Sequence, residues 1–304
     1  MVRIGVILHE HDGPDALARL TDDLRRAHDD GFASAWMSHI FGMDALTALA
    51  VAGGRVPEIE VGTAVVPTYP RHPAALAQQA RTTALATGPG RLTLGVGLSH
   101  RVFVEELYGY SFARPLRHMD EYLSVLLPLL EGRPVSFSGE TVQAQIRLTG
   151  PGEDRVPVLL AALGPKMLKL AAERTEGTVL WMTGPATVRD HIVPTIIAAA
   201  EAAGRPAPRV VCTLPVGVTN DPEGAYARAV TAFRAYGALP SYRAMLDREG
   251  VAGPADLAVI GDEDAVGAKL GELAKAGVTD FVAHEFLTGD DAVRTRKFLA
   301  SLTT

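Results

Sequence analysis

Val61-Gly-Thr-Ala-Val-Val-Pro-Thr-Tyr-Pro-Arg-His-Pro-Ala74, followed by Arg91-Leu-Thr-Leu-Gly-Val-Gly-Leu-Ser-His100, reads as strand, rigid turn, helix, strand. Ile59 to Val66 is rich in β-branched residues. Pro67, Pro70 and Pro73 forbid a continuous helix, and Ala74 to Ala86 has apolar helical spacing up to the stop Thr87-Gly-Pro-Gly90. Two buried parallel strands thus deliver polar, glycine-containing loops to one end of a sheet, where α/β proteins bind ligands.

The same pattern extends outward in both directions. Continuous apolar runs, expected of parallel strands buried on both faces, recur at Val2 to Leu8, Ala33 to Met37, Ile59 to Val66, Leu92 to Gly97, Val156 to Ala161, Thr178 to Met182, Val210 to Val218 and Asp280 to His284. Amphipathic stretches lie between them, including Pro14 to Asp30, Met43 to Gly53, Pro73 to Thr87, Pro165 to Arg174, Ala186 to Gly204, Pro222 to Tyr236 and Asp264 to Ala276, and Asp290 to Leu302 closes the chain. Eight alternations in 304 residues predict an α/β fold of the (β/α)8 TIM-barrel type, read as a single domain over 1–304. Insertions are expected after strand four (Arg101 to Gly150, with a helix near Met119 to Leu130 and a hairpin around Ser136 to Leu148) and after strand seven (Leu239 to Val259), both on the catalytic face. A doubly wound sheet shares the alternation, but the first turn reads Leu8-His-Glu-His-Asp-Gly-Pro14 and lacks G-x-G-x-x-G.

A net charge of −6, with basic residues scattered along the chain, leaves no electrostatic footprint for nucleic acid or an anionic membrane. Met1-Val-Arg-Ile-Gly-Val reads directly as a strand, and no uncharged run approaches a spanning length, so the expectation is a cytoplasmic protein acting on a small molecule. The one cysteine, Cys212, lies in a strand-like run and reads as a core residue. His9, Glu10 and His11 end the first strand. A metal site there is weakly specified, so no metal is expected and His9 and Glu10 are assigned to the substrate side. Trp181 and Met182, ending strand six, are placed on that side too. No G-x-S-x-G, P-loop or C-x-x-C supports serine, Walker-type or dithiol chemistry.

Gly62-Thr-Ala-Val-Val-Pro67, Pro70-Arg-His-Pro-Ala-Ala-Leu-Ala-Gln-Gln79, Gly90-Arg-Leu-Thr-Leu-Gly-Val-Gly97, Leu163-Gly-Pro-Lys-Met-Leu-Lys-Leu-Ala-Ala172 and Glu176-Gly-Thr-Val-Leu-Trp181 together resemble the bacterial luciferase-like family, and within it the coenzyme F420-dependent oxidoreductases. The resemblance runs from about residue 2 to 200. It implies a barrel binding F420 at the carboxyl ends of the strands, with FMN and monooxygenase chemistry as the alternative, and a non-catalytic flavin- or deazaflavin-binding protein as a third reading.

Residue by residue, the resemblance places His39, in Trp36-Met-Ser-His-Ile40, beside the deazaflavin, where an imidazole can hold or release the proton accompanying hydride transfer. Ser38 stands where several relatives carry an acid. Ala64-Val65 matches a non-prolyl cis peptide that backs the ring. Leu8 and Ser38 join the cofactor wall, together with Gly97, Leu98, Ser99 and His100, a segment lacking the arginine that often holds the FMN phosphate. Ala162, Leu163, Gly164 and Pro165 contact the phosphate region, where a helix start offers free N–H groups. The family also implies a homodimer. The alanine-rich helices near Leu46 to Val51 and Leu76 to Ala84 have apolar faces wider than a surface helix needs, which fits such an interface.

Overall fold

Arg3 lies opposite Asp280, so the first and last strands pair and the sheet closes on itself. The structure, a computed structural model, describes residues 2–150 and 155–303. Its barrel strands are β1 (Arg3–Leu8), β2 (Ser34–Met37), β3 (Glu60–Thr63, resumed at Val66–Pro67), β4 (Leu92–Gly97), β5 (Val158–Ala161), β6 (Gly177–Trp181), β7 (Arg209–Val218) and β8 (Asp280–Glu285), each parallel to its neighbours. The fold is a (β/α)8 barrel.

Around it lie α1 (Ala16–Asp29), α2 (Ala45–Gly53), α3 (Pro73–Thr87), α4 (Pro115–Leu130), α5 (Pro165–Arg174), α6 (Val193–Ala202), α7 (Pro222–Phe233), α8 (Pro240–Glu249), α9 (Glu263–Lys275) and α10 (Asp290–Ser301). Both expected insertions are present. The first carries α4 and an antiparallel hairpin, Val135–Ser138 with Gln143–Ile146. The second holds α8 and a short strand, Val259–Gly261, which pairs with the end of β7 and which the apolar pattern does not isolate. The long helix expected over Ala186 to Gly204 begins instead with a wide turn at Val188–Ile192. β3 is interrupted at Ala64-Val65, whose peptide is cis, rather than running unbroken to Val66.

Alternation sorts the strand residues into two cores. One face packs under the helices; the other fills the lumen with Ile7, Trp36, Leu159, Val179, Val211 and Val282. At the amino ends of the strands the lumen is closed by ions. Arg209 binds Asp280 with two nitrogens, at 2.9 and 2.7 Å, and Glu60 at 2.7 Å. Arg3 reaches Glu60 at 2.7 Å, and Thr93 donates to Glu60 at 2.8 Å. Burial works against the Arg209 charge, but its bonds to Asp280 and Glu60 outweigh that and push its pKa up. This end is a fully partnered plug, which leaves the opposite mouth for ligands.

The alanine-rich helices find their cover within the chain: α1 and α3 flank α2, and α4 from the first insertion packs on α3. Part of the apolar surface that suggested an interface is covered in this way, while Leu85 on α3 stays exposed. Among the described residues no helix is long and apolar enough to cross a membrane.

Candidate active site

Two residues past the lumen core, the same alternation brings a second layer to the carboxyl mouth: His9 just past β1, Ser38 just past β2, Ala161 on β5, Trp181 on β6, Thr213 on β7 and His284 on β8. β3 and β4 supply Ala64, Val65 and Gly97. The mouth therefore has two unlike halves. From β3 to β5 the side chains are small, and from β6 round to β1 they are aromatic or polar.

Glycines create the small half. A Cβ on Gly97 would lie 2.7 Å from Val65 Cγ2 and 3.1 Å from Ala161 Cβ, so the three residues form one close-packed floor. A Cβ on Gly95 would come 2.0 Å from Thr63 O. Thr63 Oγ1 donates to Gly95 O and accepts from Gly95 N, both at 2.9 Å, replacing strand pairing where β3 bulges. Ser99 (φ 63°) and Met182 (φ 50°) adopt left-handed backbone at the ends of β4 and β6, a conformation costly for non-glycine residues and concentrated at functional sites.

His39 stands on the lip beside the small half. Its Nδ1 accepts the Ala45 N–H at the start of α2 (3.2 Å) and lies 3.9 Å from Asp44 Oδ2. An acceptor Nδ1 puts the neutral ring's proton on Nε2. Burial, and next Arg71, lower the His39 pKa against the pull of Asp44. Asp44 itself is held at about 2: burial opposes its ionisation, but bonds from Arg71 (2.8 Å) and the Thr47 amide (2.8 Å) prevail. Asp44 is thus the acid near His39, without a hydrogen bond to it, and its spacing from His39 gave no signal in the sequence.

Two Gly-Pro helix starts face the same end of the barrel. At Gly184-Pro185 the carboxylate of Glu249, from α8, accepts the amides of Ala186 (3.1 Å) and Thr187 (2.7 Å). At Gly164-Pro165 no side chain caps α5, and a Cβ on Gly164 would meet nothing within 4 Å. His191 Nε2 bonds the Leu163 carbonyl at 2.8 Å and steadies this loop.

The large half is walled with rings. Trp181 lies 5.4 Å from His284, 5.6 Å from Tyr236 and 5.9 Å from Phe233 between centroids; His284 is 5.2 Å from His9. Across the mouth His100 meets Tyr242 at 5.3 Å, joining the β4 loop to α8. Burial, and next His9, hold the His284 pKa down at about 4. Burial lowers that of His100 as well.

The expected site residues divide accordingly. His39, Ser38, Ala64, Val65, Gly97, Ser99, His100, Leu163, Gly164 and Pro165 gather around the small half, and His9 and Trp181 around the large one. Leu8, Leu98, Ala162 and Met182 send their side chains into the core beneath the helices, so a side-chain role for them is corrected: one residue of slip along a strand reverses the face. Glu10 is exposed, with its carboxylate against the backbone of Gly42. His11 turns away to Asp23 at 2.5 Å. Thr213, His284, Tyr236 and Tyr242 were missed. Thr213 is hidden in an apolar run, and only its phase with Val211 reveals it.

Residues 2–280 match the family described as luciferase-like monooxygenase. The chain is 27% identical to the 5,10-methylenetetrahydromethanopterin reductase of Archaeoglobus fulgidus, over 86% of this chain and 87% of that one. Its fold is similar to the coenzyme F420-dependent tetrahydromethanopterin reductase of Methanopyrus kandleri, with TM-score 0.83 and 23% identity, covering 98% of this chain and 97% of that one. It is also similar to the FMN-bound oxygenating constituent of 3,6-diketocamphane monooxygenase of Pseudomonas putida, with TM-score 0.74 and 17% identity, covering 99% and 97%. With its closed barrel, its interrupted third strand and this match over nearly its whole length, the chain belongs to the luciferase-like monooxygenase family.

Proposed function

We propose that this protein is an oxidoreductase exchanging hydride between coenzyme F420 and a small organic substrate with a C=N, C=C or carbonyl/alcohol group. The observation that carries the reading is the half-ring of Ala64, Val65, Gly97 and Ala161, a floor on which a flat ring system can lie while the opposite half keeps larger groups for a second molecule. The likeness to a reductase over most of both chains supports it. Bound there, the deazaflavin would supply the hydride chemistry, and the protein would supply orientation and a proton partner. Ser99 and His100 wall the ring, the amides around Gly164 receive the phosphate region, and His39 offers its Nε2–H from the lip.

The runner-up is an FMN-dependent monooxygenase, favoured by the fold shared with the camphane enzyme. Arg101, the arginine that follows His100 in the chain, is bound to Glu105 at 2.8 Å and lies over Phe112. Titration with each cofactor, followed by absorbance and fluorescence, decides between the two. Micromolar F420 binding with none for FMN is expected, and the opposite result replaces the proposal with the monooxygenase. F420 binding without oxidation of the reduced coenzyme by any imine, enone or ketone would make the protein a deazaflavin carrier. A homodimer of cytoplasmic location completes the proposal on family grounds, and light scattering should return a particle twice 32.2 kDa.

A further inference from the structure

Among the described residues three buried side-chain polar atoms lack a hydrogen-bond partner: Tyr69 Oη, Trp181 Nε1 and Thr213 Oγ1. Two of these are neighbours, because Trp181 and Thr213 stand opposite each other in the β6–β7 register and follow Val179 and Val211 into the lumen. Tyr236 is the ring beside the Trp181 N–H, and its approach falls short of hydrogen-bond geometry. Folding gains nothing from burying an indole N–H and a hydroxyl without partners at paired positions of adjacent strands, so such a pair points to a partner that arrives after folding.

The surroundings define that partner. Phe233, Tyr236 and His284 enclose the indole with aromatic surface. The layer of the mouth holding the pair contains no Lys, Arg, Asp or Glu, and the lumen charges at the far end, Arg209, Asp280 and Glu60, are bound to one another. An ionised ligand would lose its hydration there without gaining a counter-charge. An indole N–H can only donate, so the ligand atom it meets must accept. Tyr236, on the turn Arg234–Ala238, packs edge-on against the indole.

We propose that Trp181 Nε1 and Thr213 Oγ1 form the substrate subsite, and that it takes an uncharged, planar, unsaturated compound through one acceptor atom, a carbonyl oxygen or imine nitrogen. This rests on the F420 reading only in assigning the cofactor to the other half of the mouth. The probe is 2-cyclohexenone, with cyclohexene and cyclohexanecarboxylate as controls, titrated by ligand-observed saturation-transfer NMR against the protein alone and with oxidised F420. Saturable binding of the enone is expected, with both controls at least about tenfold weaker. Thr213→Val and Trp181→Phe should each weaken the enone about fivefold to tenfold, leaving cyclohexene and F420 affinities unchanged. Thr213→Val should also melt higher than the native protein, since it removes a hydroxyl that folding buries without a partner.

Enone affinity unaltered in either variant, carboxylate binding as tight as enone binding, or a lower melting point for Thr213→Val would each overturn the subsite. Variant-sensitive enone binding by a protein that does not bind F420 would retain the subsite and remove the F420 reading. F420 binding without variant-sensitive enone recognition would do the reverse.

Discussion

Thr63 holds Gly95 from both sides, its hydroxyl bonded at 2.9 Å to the Gly95 carbonyl and at 2.9 Å to the Gly95 amide. A side chain thereby performs the pairing of a strand backbone, and the two chains approach so closely that only glycine fits opposite. Thr63→Val preserves the shape but leaves two buried backbone groups without partners, at about 1–3 kcal/mol each. Urea melts should show ~2–6 kcal/mol lost in Thr63→Val and under ~1 kcal/mol in Thr63→Ser. A valine variant as stable as the native protein would show that the hydroxyl does not bear this junction.

Acid should weaken the fold through two histidines. His118, between Tyr69 and Tyr122, and His284 both have pKa values held at about 4, in each case mainly by burial. The unfolded chain takes up these protons near pH 6.5 and the folded one only near 4, so the unfolded state binds more protons between those values. Stability is constant above pH 6.5 on this account, falls as pH drops towards 4, and levels off below. Each histidine contributes up to ~3 kcal/mol of the fall. His118→Gln should flatten the slope of unfolding free energy against pH across that window by about half, and an unchanged slope would refute the assignment.

The barrel was legible because parallel strands buried on both faces leave continuous apolar runs, and the floor of the mouth was legible because glycine and proline mark close approach and helix starts. Side-chain direction at the strand ends was not. Leu8 and Met182 sit one residue from His9 and Trp181, and phase alone separates the core under the helices from the mouth. Asp44 escaped notice because its approach to His39 is set by the path of the loop into α2, not by any fixed spacing. Thr213 looks like one more β-branched strand residue until Trp181 is seen opposite it.

His39 accepts a backbone amide through Nδ1 and so, while neutral, presents Nε2–H as a hydrogen-bond donor. Because burial and Arg71 lower its pKa, that form persists through neutrality. The rate of F420H2 oxidation should therefore be flat above pH 7 and decline only on acidification below about 6.5, the direction being set by loss of the neutral ring. His39→Ala should slow turnover about 100-fold or more while F420 affinity stays within about threefold. A rate that rises as pH falls through 7 would mean that the imidazolium is the working form.

Gly164 offers the sharpest separation between folding and cofactor binding. Its backbone, at φ −81° and ψ 152°, suits any residue, and an added Cβ meets no protein atom, so the fold places no demand for glycine there. The comparable start at Gly184 is different: its amides are already taken by Glu249, and a Cβ would lie 2.3 Å from that carboxyl carbon. If the open amides beside Gly164 receive the phosphate of F420, a methyl group at that point occupies the approach. Gly164→Ala should melt within about 2 °C of the native protein. It should bind F420 about tenfold more weakly, and bind the phosphate-free deazaflavin riboside unchanged. Equal weakening of both ligands would move the obstruction to the ring, and unchanged binding of both would remove the phosphate from this loop.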